Sequence, residues 1–371
     1  GLVGRIGGDE FALLVPVARS ADLGPKDLRS AVAAVFTAPF DVGSVSIQVS
    51  ARFGYTRLGR ERHDATTALH EAELALFRAR DDARQNWVQY TRDLDAETQG
   101  RIRLTRELRQ ALERDEFELH FQPQVELKTG DVLSSEALVR WQHPERGLQA
   151  PGRFMPVAEQ SQLIGPIGDW VLRAACRALR TWRTAGLSVV RVSVNVSLVQ
   201  FQLGDFPDRV QRVLAEEGVT AGDLTLEITE SVFEDASAGL RDQLALLHRM
   251  GLRLSLDDFG TGYSSLSYLQ HYPFDEIKVD KGFVQRMLSD PYSLEIVKTV
   301  IGIAEAVGAD AVAEGVETTD ERDALIDLGC RIGQGFHYSM PMVEEDYRWL
   351  LENRRPLPLI ADKEDTTETD G

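Results

Sequence analysis

Leu224-Thr-Leu-Glu-Ile-Thr229, a helical pattern over Gly239–Met250, then Arg253-Leu-Ser-Leu-Asp-Asp258 is the stretch that decides the fold. Two short runs rich in β-formers flank a segment with helical periodicity, the signature of parallel strands joined by a crossover helix. Both runs carry acids among apolar neighbours. The same alternation extends outward in both directions. Strand-like runs fall at Phe117–Gln122, Leu133–Trp141, Val190–Val196, Glu276–Asp280, Ala311–Val316 and Arg331–Phe336. Helical patterns lie between most of them, at Asp169–Ala185, Pro207–Glu217 and Ser293–Val307. Eight strands over about 235 residues predict a closed (β/α)₈ TIM-like barrel of class α/β. Only a Lys-Thr-Gly turn separates the first two strands, so they are expected to be antiparallel and the barrel irregular at its start.

Polar residues recur where these strands end. They are Glu136, Asn195, Glu227, the pair Asp257 and Asp258, Lys278, Glu314 and Gln334. A barrel gathers the C-terminal ends of its strands around one mouth, where the active sites of this fold sit. One lysine does not satisfy five converging carboxylates, and burying them unpaired is costly. Divalent cations resolve the conflict, and all-oxygen ligands favour Mg²⁺, Mn²⁺ or Ca²⁺ over Zn²⁺. Adjacent aspartates suit a pair of ions about 3.5–4 Å apart, the arrangement of in-line phosphoryl displacement. Any one of these acids alone reads equally well as a cap or a surface ion pair; the set does not. Lys278 suits two compatible tasks, holding a nucleophile or scissile phosphate and pairing with Asp257 or Asp258. Gly260 and Gly262, beside the aspartates, indicate a tight turn or a lid.

Composition narrows the function classes. The 371 residues include 41 basic and 59 acidic side chains, a net charge of −18, which disfavours a DNA or RNA polymer as partner. Cys176 and Cys330 lack metal-ligand spacing and fit a reducing cytoplasm. No apolar run of about 18 residues occurs, so no membrane contact is expected within this sequence. Of the seven histidines, His120, His143, His248, His271 and His337 have no paired spacing and read as structural.

The motifs Phe121-Gln-Pro123, Glu136-Ala-Leu-Val-Arg-Trp-Gln-His-Pro144, Phe154-Met-Pro-Val-Ala-Glu159, Asn195-Val-Ser197, Glu227-Ile-Thr-Glu230, Asp257-Asp-Phe-Gly-Thr-Gly262, Lys278-Val-Asp280, Glu314-Gly-Val-Glu317 and Gln334-Gly-Phe336 resemble the EAL family of cyclic-di-GMP phosphodiesterases. The resemblance covers about 115–345. It implies hydrolysis of c-di-GMP to linear pGpG with two Mg²⁺ or Mn²⁺ ions. Ca²⁺ is expected to inhibit, because it accepts looser coordination. Glu136, Asn195, Glu227 and Asp257 would hold one ion, Asp257 and Asp258 would share the second, and Glu314 would act as base or second-ion ligand. Lys278 would position the water, and Arg140 would contact a substrate phosphate with its planar fork. Gln122, Leu138, Glu317 and Gln334 would bind or shape the substrate site. Glu230 would brace the loop after Asp258, and the family implies a homodimer through the barrel.

Arg5-Ile-Gly-Gly-Asp-Glu-Phe11 resembles the signature of a GGDEF diguanylate cyclase domain, with Gly7, Gly8, Asp9, Glu10 and Phe11 in place. Gly7 and Gly8 would admit GTP to the backbone, and Asp9 and Glu10 would ligate metal. Arg80 stands where that family has a phosphate-contacting lysine, so a regulatory part is expected rather than a cyclase. The expected organisation is 1–92 C-terminal GGDEF part, 93–114 connecting helix, 115–352 barrel and 353–371 an acidic, disordered tail. Two alternatives accompany this reading. One is a silent c-di-GMP receptor, the other a bifunctional cyclase and phosphodiesterase in a longer protein, which upstream segments would place in the cytoplasm or at a membrane.

Overall fold

The computed structural model describes residues 1–15, 25–43, 45–58, 64–81, 86–187, 191–233, 238–260 and 272–357. The chain divides into two compact units, Gly1–Arg103 and Leu104–Gly371. Of the tail expected over 353–371, residues 358–371 lie outside the described residues, as do residues 261–271, where the turn or lid was expected.

The first unit opens with the hairpin β1 (Leu2–Gly7) and β2 (Glu10–Leu14). Gly8, at φ +51°, turns the chain between them, a conformation glycine adopts without a Cβ penalty. There follow α1 (Pro25–Val35), β3 (Phe40–Val42), β4 (Val45–Ile47), β5 (Phe53–Tyr55), α2 (Ala65–Asp81) and β6 (Trp87–Gln89). The run Val45–Phe53 reads as one strand but is two. Its first part pairs antiparallel with β3, while β5 pairs parallel with β6, so one apolar stretch serves two partners. Helix α3 (Arg92–Glu113) continues through Gly100, which costs a helix interior only about 1 kcal/mol. The division at Arg103 falls within it.

In the second unit the elements are β7 (Phe117–Glu126), β8 (Val132–His143), β9 (Gly147–Gln149), α4 (Met155–Gln160), α5 (Ile164–Thr184), β10 (Arg191–Asn195), α6 (Leu198–Gln202), α7 (Phe206–Glu217), β11 (Leu224–Thr229), α8 (Ala238–Arg249), β12 (Arg253–Phe259), β13 (Glu276–Val279), α9 (Lys281–Val284), α10 (Pro291–Val307), β14 (Asp310–Ala313), α11 (Thr319–Asp327), β15 (Ile332–Gly333), β16 (Met342–Val343) and α12 (Glu344–Asn353). Strands β7, β8, β10, β11, β12, β13, β14 and β15 close on one another as an eight-stranded barrel. Strand β7 runs antiparallel to both of its neighbours and the rest pair in parallel. The irregular start is therefore real.

Strand alternation sorts the side chains. In β11, Leu224, Leu226 and Ile228 are fully buried on the outer face, leaving Thr225 and Glu227 for the barrel interior. Burying each such leucine stabilises the fold by roughly 1.5–3 kcal/mol. Helices cover the outer face. Phe121 of β7 meets Trp182 of α5 and Tyr347 of α12, with ring centroids 5.1 and 5.6 Å away. Helix α10 starts sharply because the Asp290 carboxylate accepts the Tyr292 and Ser293 N–H groups, and it stops at Gly308 in the left-handed conformation. Strand β14 follows, and Glu314 comes directly after it. No described helix is long and apolar enough to cross a membrane.

Candidate active site

Lys278 on β13 is the centre of the mouth. Its side chain is 1% exposed, and Nζ lies 2.5 Å from Glu314 Oε1, 2.7 Å from Glu227 Oε2, 3.3 Å from Asp257 Oδ1 and 3.5 Å from Glu136 Oε2. Four acids from β8, β11, β12 and the residue just beyond β14 thus converge on one ammonium. Burial opposes the Lys278 charge, but the surrounding Asp257, Glu136, Glu227 and Glu314 carboxylates outweigh it and hold the ammonium well above its ordinary range.

Asp257 and Asp258 are consecutive, and in a regular strand they would point to opposite faces. The pairing of β12 with β13 slips between Leu256 and Phe259, and Asp258 takes φ +55°. That left-handed residue breaks the alternation, as a bulge does beside many active sites. Its own N–H donates to Asp257 Oδ1 at 2.9 Å. One oxygen each from Asp257, Asp258 and Glu314 then lie within 4.8 Å of one another, close enough to hold a single cation. Asp258 is the exposed member and Asp257 the buried one.

The acids divide electrostatically. Burial works against the Glu136 carboxylate, yet Lys278 and amide donors from Gln334 and Asn195 overcome it and keep its carboxyl below the ordinary range. Burial first, and Glu136 next, push Glu227 well above that range. Burial pushes Glu314 up to about 8, with Lys278 opposing and Asp257 and Glu136 adding to the rise. Burial, then Asp257, also raise Asp258. Glu227 Oε1 is buried without a hydrogen-bond partner. Five carboxylates, one ammonium and an orphaned carboxylate oxygen fit divalent cations bound through oxygen. Asn195 lies beside the same carboxylates. Its Nδ2 donates 2.7 Å to Glu136 Oε1, which leaves its carbonyl oxygen as the free end of the amide.

The remaining candidates are dispersed around this cluster. Leu138 and Arg140 share the Glu136 face of β8, each half-buried, and Arg140 Nη1 donates to the Val139 carbonyl at 3.0 Å. Gln122 and Gln334 are buried. Gln122 donates to the Ser339 carbonyl at 3.0 Å, and Gln334 Nε2 donates to Gln122 Oε1 at 2.9 Å and to Glu136 Oε2 at 2.7 Å. Both were expected to face substrate; in this structure their amides face each other and a carboxylate. Glu317 is exposed and accepts from Gln285 Nε2 at 2.8 Å. Glu230 is buried just past β11 and accepts the Gly260 N–H at 3.0 Å, tying that strand end to the residues after Asp258. In the first unit, Gly7 ends β1, Gly8 and Asp9 form the exposed hairpin turn, and Phe11 is exposed. Glu10 pairs with Arg80 at 2.9 Å.

Sequence reasoning missed two interior polar residues, Gln124 and Ser134. Gln124 Nε2 donates to Gln334 Oε1 at 3.0 Å, and Ser134 Oγ donates to Gln124 Oε1 at 2.7 Å. A signal was present, since β7 carries a polar residue at every second position from Glu118 to Glu126.

An acid-lined barrel mouth of this kind, opened by one antiparallel strand, defines the EAL class of barrels. The EAL domain family matches residues 105–341, and the diguanylate cyclase GGDEF domain family matches residues 1–86. The chain belongs to the EAL family and is a tandem GGDEF–EAL protein. It is similar to the bifunctional diguanylate cyclase/cyclic di-GMP phosphodiesterase MucR of Pseudomonas aeruginosa, 37% identical over 347 residues, which span 92% of this chain and 50% of MucR. It is 35% identical over 341 residues to the cyclic di-GMP phosphodiesterase NbdA of the same organism, covering 92% of this chain and 43% of NbdA. Among solved structures it resembles the PaMucR phosphodiesterase in complex with c-di-GMP. That likeness has 42% identity and a TM-score of 0.64, over 66% of this chain and 99% of that one. The chain spans about half the length of the curated relatives it matches.

Proposed function

We propose that this chain is a metal-dependent phosphodiesterase that opens cyclic di-GMP to linear pGpG. The observation that carries the reading is the convergence of Glu136, Glu227, Asp257 and Glu314 on the buried Lys278 ammonium, with Asp258 swung to the same side. Support for the substrate comes from relatives named for cyclic di-GMP and from a solved relative that holds it.

Glu136, Asn195, Glu227 and Asp257 would hold one Mg²⁺ or Mn²⁺, and Asp257, Asp258 and Glu314 a second. Bound divalent ions neutralise the scissile phosphate and acidify water. Lys278 positions the attacking water with its ammonium. Glu314, where it does not ligate the second ion, would accept the water proton as base. The water oxygen bonds to phosphorus, the bond to the departing ribose oxygen breaks, and that oxygen takes up a proton. Arg140 and Leu138, above Glu136 on β8, face the cyclic dinucleotide, with Glu317 at the exposed edge. Glu230 braces the segment after Asp258. The active form is a homodimer through the barrel, and the GGDEF part, with Glu10 tied to Arg80, binds GTP as a regulator.

The test is incubation of the purified chain with c-di-GMP and Mg²⁺ or Mn²⁺, with the products separated chromatographically. Linear pGpG that disappears in Glu136→Ala and with Ca²⁺ in place of Mg²⁺ is the expected result. Tight binding of c-di-GMP with no linear product under either metal would overturn the proposal.

A further inference from the structure

The interior between β7 and β8 holds an unbroken line of side-chain hydrogen bonds that ends on Glu136. Ser134 Oγ donates to Gln124 Oε1 at 2.7 Å, Gln124 Nε2 to Gln334 Oε1 at 3.0 Å, and Gln334 Nε2 to Glu136 Oε2 at 2.7 Å. Gln124 is 1% exposed, Ser134 3% and Gln334 5%, so solvent does not compete for these bonds. Gln124 and Ser134 are direct cross-strand partners, as are Gln122 and Glu136 one interior layer higher.

The direction of the chain is fixed by chemistry. An ionised carboxylate only accepts, so Glu136 requires the NH₂ end of Gln334. The Gln334 carbonyl must then face Gln124, which answers with its own NH₂ group. The Gln124 carbonyl is left to accept the one proton Ser134 can donate. Gln334 is therefore held in one of its two orientations by Gln124 beneath it and by Gln122, whose Oε1 accepts from Gln334 Nε2 at 2.9 Å, and Gln124 is held by Ser134. An amide that flips instead presents an oxygen to Glu136, and two acceptors face each other in a buried site. The other Glu136 oxygen is held by Asn195 at 2.7 Å, so both oxygens of this carboxylate are oriented by amides.

We propose that Gln124 is a positioning residue for the metal site: through Gln334 it fixes the orientation of the Glu136 carboxylate, with Ser134 setting the orientation of Gln124. It touches neither substrate nor ion. The inference rests on the metal-dependent reading of the Glu136 cluster, and it adds residues outside that cluster which govern its affinity for cations. Partners that orient a metal ligand typically contribute about 10–100-fold to metal affinity.

The test uses the full chain, with Mn²⁺ alone as probe and isothermal titration calorimetry as readout. Gln124→Met keeps the length of the side chain and removes both ends of the amide. It is expected to weaken Mn²⁺ binding by about 10-fold or more. Gln334→Met should do the same. Because Gln124 acts through Gln334, the double variant should lose no more than about 2-fold beyond Gln334→Met alone, the non-additivity of residues that act as one unit. A residue that merely packs the interior would lower the melting temperature without this coupling. If Gln124→Met does not fold, Ser134→Ala removes only the far end of the chain and is expected to weaken Mn²⁺ binding about 2–10-fold. Mn²⁺ affinity within 2-fold of the wild type in Gln124→Met or Ser134→Ala, or losses that multiply in the double variant, overturns the inference while turnover by the wild type leaves the proposed function standing. A wild type that neither binds Mn²⁺ nor opens c-di-GMP removes both.

Discussion

Replacing Lys278 with methionine keeps the volume of the side chain and deletes its charge. Each contact to an ionised carboxylate, at 2.5 to 3.5 Å, is worth about 5–7 kcal/mol at an effective dielectric of about 20. Most of that is offset by the cost of taking the ammonium and the acids out of water. The net penalty for removing one partner of a buried cluster is about 3–5 kcal/mol. A unit of this size shifts by about 2–4 °C per kcal/mol, so the barrel transition of Lys278→Met should fall by about 6–20 °C in EDTA. The sign with pH follows from the direction of the shift. The folded ammonium titrates above 10.5, so its stabilisation is fully present below pH 10.5 and is lost only as pH rises through the higher folded value. Differential scanning calorimetry at pH 8 therefore reads the full effect. Mn²⁺ should recover part of the lost stability, since a divalent ion replaces the missing positive charge. Turnover should drop by at least about 100-fold, the usual cost of removing a charge that stabilises the transition state. A transition temperature within about 2 °C of the wild type in EDTA would refute the claim that these acids share one ammonium.

Three other outcomes can be checked. The Glu314 carboxyl titrates near 8 in the folded chain against 4.5 as its ordinary value, so between those pH values the folded chain keeps a proton the unfolded chain has lost; stability of the metal-free protein should fall as pH rises from 4.5 through about 8, and Mn²⁺ binding at pH 7 should release protons, read from calorimetry in buffers of different ionisation enthalpy. A Cβ at Gly335 would sit 2.1 Å from the Val316 carbonyl oxygen, and that backbone cannot yield cheaply, so Gly335→Ala should displace the neighbouring Gln334 and lower both the melting temperature and Mn²⁺ affinity. Leu226→Ala, which empties a fully buried site between β11 and its covering helices, should cost about 2–5 kcal/mol by urea unfolding while leaving Mn²⁺ affinity nearly unchanged.

Much of the barrel was legible in the chain because its signals are local. Period-2 and period-3.6 patterns alternate along 117–343, and the Lys-Thr-Gly turn after β7 is too short for a crossover, so the antiparallel start follows from reach alone. Strand lengths near the end were overread. The strands expected over Ala311–Val316 and Arg331–Phe336 end at Ala313 and Gly333, so Glu314 and Gln334 stand just past them, free of the pleat. The Val45–Phe53 run failed for a related reason, since the choice of partner strand is not local.

The sequence by itself determined which residue types crowd the strand ends, and from their charge that cations belong among them. Only the tertiary structure decided which atom meets which. Asp257 and Asp258 face one site because the β12–β13 register slips and Asp258 adopts a left-handed φ, against the alternation that their adjacency dictates. Gln334 donates to Glu136 and accepts from Gln124, 210 positions away in the chain, because the closed barrel brings the three side chains together. Charge and periodicity are properties of neighbours along the chain, whereas register and the orientation of an amide belong to neighbours in space.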